Sequence, residues 1–401
     1  MNFVHTLGGR LKSRPADDTA RPITPEESDF ISLARIVMIV ALVFHHVFSL
    51  PGSEFDPRNA IDPNTAHIAD YLNSMIHWIA MASVPCLSVI SGYLFFKRSR
   101  IAYLSLLHRR FFTVVLPSIA WTTFWFFFAY LIFIWGQGTG YFRWIDYGFE
   151  QIGPELYLDG ALGISRLPYA YQFWFVHDLV LTFILTPVIG WFTARAPWIL
   201  LAVLGSVWAL NIDVNPFFSI NVLFFFSLGS VSATTRFDLS WSIHLVKRLR
   251  WIVSVSFVAV LLGRMFKDHH DVLGSYLYLC LLRGAGLLAV ILLISSLTLR
   301  NNFWLRVLRY LSPFSFFVFA FHYPTLEFIK AAARKFPGFD SEMGMIAMFF
   351  MVPLTCVVIS LTVAVTLRWL FPRIFSFING GRATGEKSPG YASQSAVAPA
   401  G

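Results

Sequence analysis

The side chains able to do acid–base chemistry are few in this chain, and most of the notable ones interrupt apolar runs. Arg35, His45 and His46 share SLARIVMIVALVFHH, and His77 follows in the next apolar stretch. Gln172, Trp174, His177 and Asp178 fall together in YQFWFVHDLVLTF. Arg283 interrupts YLYLCLLRGAGLLAV, and His322 and Glu327 lie in FVFAFHYPTLEF. At membrane depth an ionisable group costs several kcal/mol, so its presence there marks function by default. An imidazole ordinarily titrates near neutrality and can take a proton from a hydroxyl. A carboxylate such as Asp178 can hold an imidazole in place, or pair structurally with Arg283. Arginine presents a planar fork to phosphate or carboxylate. Eleven positions separate Arg35 from His46, about 16 Å along a helix. Arginines at one depth and histidines at another suit transfer of a group from an anionic carrier to a hydroxyl.

The elements that must position these residues are membrane helices. Hydrophobic residues make up 56% of the 401, aromatics 17% and charged residues 13%, against about 25% charged in soluble chains. This composition excludes a soluble globular domain and predicts an all-α fold, a polytopic membrane helix bundle of about ten transmembrane helices. The expected spans lie near 30–50, 74–96, 111–135, 171–193, 197–211, 216–234, 250–265, 275–298, 311–331 and 344–371. They form one membrane domain over 30–373, between disordered cytoplasmic tails at 1–29 and 374–401. Residues 1–29 lack a basic start followed by an apolar run, so no cleavable signal peptide is expected. Basic residues concentrate in even-numbered loops (Lys97, Arg98, Arg100, Arg109, Arg110; Arg236, Lys247, Arg248, Arg250; Arg300, Arg306, Arg309) and acidic ones in the first and third loops. That asymmetry places the even loops and both termini in the cytoplasm. It also accounts for the net charge of +9 without nucleic acid. Cys86, Cys280 and Cys356 have neither metal nor disulfide-framework spacing. Lys267-Asp268-His269-His270-Asp271 reads as a solvated loop, and Tyr141, Phe142, Trp144 and Tyr147 as interface anchors or a sugar-stacking surface.

Taken in order, these motifs resemble those of the acyltransferase-3 family of bacterial integral membrane O-acyltransferases. Arg35 and His46 reproduce its arginine, ten residues, histidine spacing. Ser91-Gly92-Tyr93 resembles its Ser-Gly-Tyr segment, and Arg109, Arg110 and Pro117 its basic approach to a proline opening the third span. FWFVHDLVLTFILTP, LFFFSLG ending in Gly229, and FVFAFHYP with His322 and Pro324 resemble its later segments. The resemblance covers about residues 30–372. It departs at the Arg-x-x-Arg motif of some relatives: the nearest approach is Lys97-Arg98-Ser99-Arg100, where lysine keeps the charge but loses the bidentate fork.

The resemblance implies transfer of an acyl group, acetyl or succinyl in many members, to a hydroxyl of an envelope or secreted polysaccharide or its lipid-linked precursor. The expected donor is cytoplasmic acyl-CoA, acetyl-CoA first, used as a substrate with no permanently bound cofactor and no metal. The expected setting is the bacterial inner membrane, with membrane lipids as further partners. His46 becomes general base or acyl relay, with Asp178 and His322 as further catalytic candidates. Arg35, Arg98, Arg109 and Arg110 become the donor-binding candidates. Bland alternatives stand beside these: a snorkelling Arg35, a structural His45 turned about 100° from His46, and a His322 that stabilises the helix near Pro324. Among whole functions, the alternatives are a secondary transporter or exporter of a glycan or small anion, and a lipid-type membrane O-acyltransferase acting through its late histidine.

Overall fold

The computed structural model describes residues 23–47, 66–97, 103–136, 147–165, 167–210, 218–235, 237–266, 272–298, 303–338 and 341–381. Among them the elements are helical and there is no β-strand. α1 (Pro25–His45) starts before residue 30 because Thr24 and Glu27 form a reciprocal capping box, with Pro25 in the first turn. Such a cap contributes about 1 kcal/mol. The expected second span is broken at Met81–Ala82 into α2 (Ile68–Ala80) and α3 (Ser83–Lys97). α4 (Tyr103–Arg110) continues through a π-helical turn at Phe111–Val115 into α5 (Leu116–Gly136). α6 (Pro154–Leu162) occupies part of the third loop, and α7 (Trp174–Arg195) follows.

α8 (Pro197–Ala209) and α9 (Ile220–Thr234) are short, and α10 (Leu239–Arg248) is a polar-faced connector. α11 (Arg250–Phe266), α12 (Val272–Thr298), α13 (Phe303–Leu311), α14 (Ser315–Ala333), α15 (Glu342–Leu370) and α16 (Pro372–Ile378) complete the described chain.

Every expected span therefore contains a helix. Among the described residues, six segments are long and apolar enough to cross a membrane: α1, α2 with α3, α4 with α5, Tyr171–Arg195, Tyr276–Thr298 and α15. α8, with 13 residues, reaches only about 20 Å, and α9, with 15, about 22 Å, both short of a ~30 Å hydrocarbon core. Large apolar side chains are left outside the bundle, with Trp135 at 82% and Trp369 at 81% exposure. A water-facing surface would not tolerate this girdle, and lipid solvates it freely. The chain is a multi-pass membrane protein.

The centre of the bundle is set by a close crossing of α3 and α9. A methyl group on Gly92 would collide with the Phe226 carbonyl, and one on Gly229 with the Val89 carbonyl. The glycines of two distant motifs thus serve one contact, where only a missing side chain lets two backbones touch. At the N-terminal end of α1, Tyr93 Oη donates to buried Glu27 (2.9 Å), Ser240 Oγ donates to the same carboxylate (3.2 Å), and Arg309 grips Asp29 with two bonds of 2.9 and 2.7 Å.

α14 is broken near its middle. Tyr323 leaves helical geometry (φ −119°, ψ 126°) and Pro324 has no N–H to offer the Ala320 carbonyl. That carbonyl is taken up from outside the helix, by Trp125 Nε1 at 3.0 Å and Gln172 Nε2 at 3.1 Å. Gln172 Nε2 also donates to the Tyr323 carbonyl at 2.7 Å. The break is thereby held by α5 and by the turn before α7, and His322 sits on its rim.

Candidate functional site

Among the described residues, two cavities share one aromatic residue in their walls. The first, of about 180 Å³, gathers the C-terminal end of α1, the end of α2 and the approach to α7. Leu42, His45, His46, His77, Tyr171, Gln172, Trp174, Asn221 and Arg283 are on its wall. The second, of about 100 Å³, lies beside the middle of α1 and is lined by Arg35, Ser91, Arg110, Phe183 and Phe319 among others. Phe175 lines both.

His46 is brought into the first cavity by the end of α1. The helix stops at His45, and His46 occupies the C-cap with φ −85° and ψ 4°. Both His45 and His46 line this cavity, where successive positions on a helix were expected to face about 100° apart. His45 is fastened to α2 by a reciprocal exchange. Its Nδ1 meets the His77 carbonyl at 3.2 Å, the His77 Nδ1 meets the His45 carbonyl at 3.1 Å, and the rings stack at 4.0 Å.

The central contact is between His46 and His322, two buried imidazoles 276 positions apart in sequence. His46 Nδ1 lies 2.8 Å from His322 Nε2, with ring planes 10° apart. His322 Nδ1 lies 2.7 Å from the Phe319 carbonyl. A carbonyl only accepts, so in the neutral pair Nδ1 of His322 carries the proton and its Nε2 offers a lone pair. His46 must then donate from Nδ1, and its own Nε2 is left as the basic nitrogen. Tyr171 and Tyr323 stand near edge-on to His46, with centroids at 5.9 and 6.1 Å.

Gln172 Oε1 and Asn221 Oδ1, of two further residues on the wall, have no hydrogen-bond partner among the described residues. For Gln172 the assignment follows from the two carbonyls its nitrogen serves. The oxygen must be the atom left over, and it accepts. Composition pointed to neither Tyr171 nor Asn221, because a tyrosine before a span and an asparagine inside one are common; only their convergence marks them.

The other expected site residues separate. Asp178 does not line the histidine cavity. Its carboxylate accepts from the Ser219 backbone N–H at 3.0 Å and faces His177 Nδ1 at 3.4 Å, fixing α7 to the start of α9. Among the described residues it pairs with neither His46 nor Arg283, and the group that orients His46 is His322. Glu327 pairs with Lys330 at 2.9 Å.

Arg35 and Arg110 share the second cavity, and Arg110 lies over the Phe183 ring at 5.2 Å. Arg109, the residue before it on α4, is exposed. Arg98, the segment 267–271, Tyr141, Phe142, Trp144 and most of both tails lie outside the described residues. Among the described residues, no group of three His, Cys, Asp or Glu is placed to hold a metal. One charge was overlooked in the sequence: Arg264, buried at the end of α11 over the Trp78 ring at 5.4 Å.

Comparison with known proteins bears on this geometry. The family model of an acyltransferase domain matches residues 28–369. The chain is 26% identical over 371 residues to the succinoglycan biosynthesis protein ExoH of Rhizobium meliloti (strain 1021), covering 89% of this chain and 93% of that protein. No solved structure matches.

Proposed function

The chain belongs to the acyltransferase-3 family of membrane acyltransferases, and on that premise we propose that it moves an acyl group from cytoplasmic acyl-CoA to a hydroxyl of an envelope or secreted polysaccharide, or of its lipid-linked precursor, with His46 as general base. The observation that carries this reading is the fixed tautomer of the histidine pair. Phe319 holds His322, and His322 holds His46 with its Nε2 basic. That nitrogen takes the proton of the acceptor hydroxyl as its oxygen attacks the thioester carbonyl. The tetrahedral intermediate then collapses with cleavage of the C–S bond, and the imidazolium returns its proton to the departing coenzyme A thiolate. His322 accepts from Nδ1 of His46 throughout and stabilises the transient positive charge.

The remaining parts have matching roles. Arg35 and Arg110 on the second cavity suit the phosphates of an anionic donor, and the pantetheine arm would reach past Phe175. Gln172 Oε1 and Asn221 Oδ1 suit hydroxyls of a sugar, and Tyr171 and Trp174 its apolar faces. The relative's name, a protein of succinoglycan biosynthesis, supports a polysaccharide acceptor. The basic loops support an inner-membrane setting with both termini cytoplasmic.

The test is His46→Ala in the producing cell. Acyl substituents on the polysaccharide should vanish while the protein stays in the membrane at its usual level. Unchanged acylation in that variant would sink the assignment.

A further inference from the structure

The histidine cavity contains a charge that the acyl transfer just described does not use. Arg283 lies in the apolar α12 and reaches the same wall as His46, Gln172 and Asn221. Its electrostatic partners are Tyr276, two turns earlier on the same face, and Cys280, groups that are neutral at ordinary pH. Among the described residues no carboxylate forms an ion pair with it: Asp178 is engaged by Ser219 and His177, and Glu327 by Lys330. A guanidinium at membrane depth is costly without a counter-charge or water, and this one is turned towards an opening about 180 Å³ in volume, with room for several waters. The donor's phosphates are not the natural counter-charge. Arg35 and Arg110 are placed for those, in the other cavity. The neighbouring unpartnered atom Gln172 Oε1 is an acceptor that repels an anion and welcomes hydroxyls. The wall is thus divided into a hydroxyl-binding part and a fork suited to a carboxylate.

We propose that Arg283 is a substrate-specificity residue that holds a carboxylate inside the histidine cavity, borne either by the far end of a dicarboxylic acyl group such as succinyl or by an acidic sugar of the acceptor. This deepens the reading of His46 as the acyl-transfer base and rests on it. A carboxylate anchored at Arg283 would fix one end of the substrate while the reacting carbonyl or hydroxyl meets His46, so the charge would select the substrate as well as bind it.

The experiment uses the full-length protein in liposomes with succinyl-CoA or acetyl-CoA as donor. The acceptor is the deacylated polysaccharide of the producing cell, either native or with its carboxyl groups chemically reduced. If the carboxylate is on the acyl group, the wild type prefers succinyl-CoA on both glycans. Arg283→Gln then loses at least tenfold of succinyl transfer and keeps acetyl transfer. If it is on the acceptor, Arg283→Gln loses at least tenfold with both donors on the native glycan and nothing on the reduced one. Arg283→Lys keeps the charge without the fork and should fall between; it also serves as the reading should the glutamine variant not fold. Equal use of both donors and both glycans by the wild type, or an equal change across all four combinations in the variants, overturns the inference while an inactive His46→Ala leaves the histidine reading standing. Activity retained by His46→Ala overturns that reading and this inference together.

Discussion

His46 and His322 carry the same side chain and acquire different roles from what lies behind them. His322 is backed by the Phe319 carbonyl at 2.7 Å, and His46 is backed by His322 at 2.8 Å, so a backbone oxygen two steps away sets which nitrogen of His46 is basic. The arrangement replaces the carboxylate of a base–carboxylate pair with a neutral imidazole, which orients His46 without adding a buried negative charge. His322→Ala leaves the base in place without its orienting partner and should therefore lower kcat by up to about 10²–10⁴-fold, the full contribution of a general base, with little change in the donor KM. His322→Gln, whose amide can donate to Phe319 and accept from His46, should restore part of the rate. Steady-state kinetics in liposomes would check both. Equal losses in the two variants would argue for a purely structural His322.

At the scale of elements, two local departures from regular helices build the site. The proline break in α14 frees the Ala320 carbonyl and draws Trp125 and Gln172 to it, which brings the face of Gln172 into the histidine cavity. The glycine crossing of α3 and α9 brings the two backbones together at Gly92 and Gly229. Each glycine faces a carbonyl oxygen, which cannot swing aside as a flexible side chain would. Gly92→Ala or Gly229→Ala should therefore destabilise the bundle by about 1–3 kcal/mol or more. The measurement is the midpoint of thermal unfolding in detergent. Wild-type midpoints in both variants would show that the helices can part at no cost.

At the scale of the whole molecule, polar chemistry is divided between two cavities: Arg35 and Arg110 line one, the histidines and Arg283 line the other, and Phe175 lines both. Charge-assisted hydrogen bonds contribute about 1.5–3 kcal/mol each. Arg35→Gln and Arg110→Gln should each raise the acyl-CoA KM about tenfold or more at nearly constant kcat. Arg109→Gln, at an exposed position of α4, should leave the KM in place. Donor titrations in liposomes would separate the three, and a KM unchanged in the first two would remove the donor role from the second cavity.

The amino-acid sequence by itself determined that the chain is a helical membrane protein, where its helices run, and that Arg35 and His46 stand a fixed distance apart. Hydropathy over about 20 residues and the constant rise of a helix are local quantities, readable without knowing what packs on what. It also flagged Gly92, Gly229, Pro324 and His322 as motif residues, without showing that the glycines meet each other or that His322 meets His46. Those facts depend on helices far apart in the chain, 276 positions for the two histidines, and apolar periodicity is nearly silent in lipid, where every face of a helix can be hydrophobic. Only the tertiary structure decided that Asp178 turns away to Ser219, that Arg110 faces the bundle while Arg109 does not, and that Arg283 opens into the cavity of the histidines. In each case the residue type was fixed by sequence, and its partner was fixed by packing.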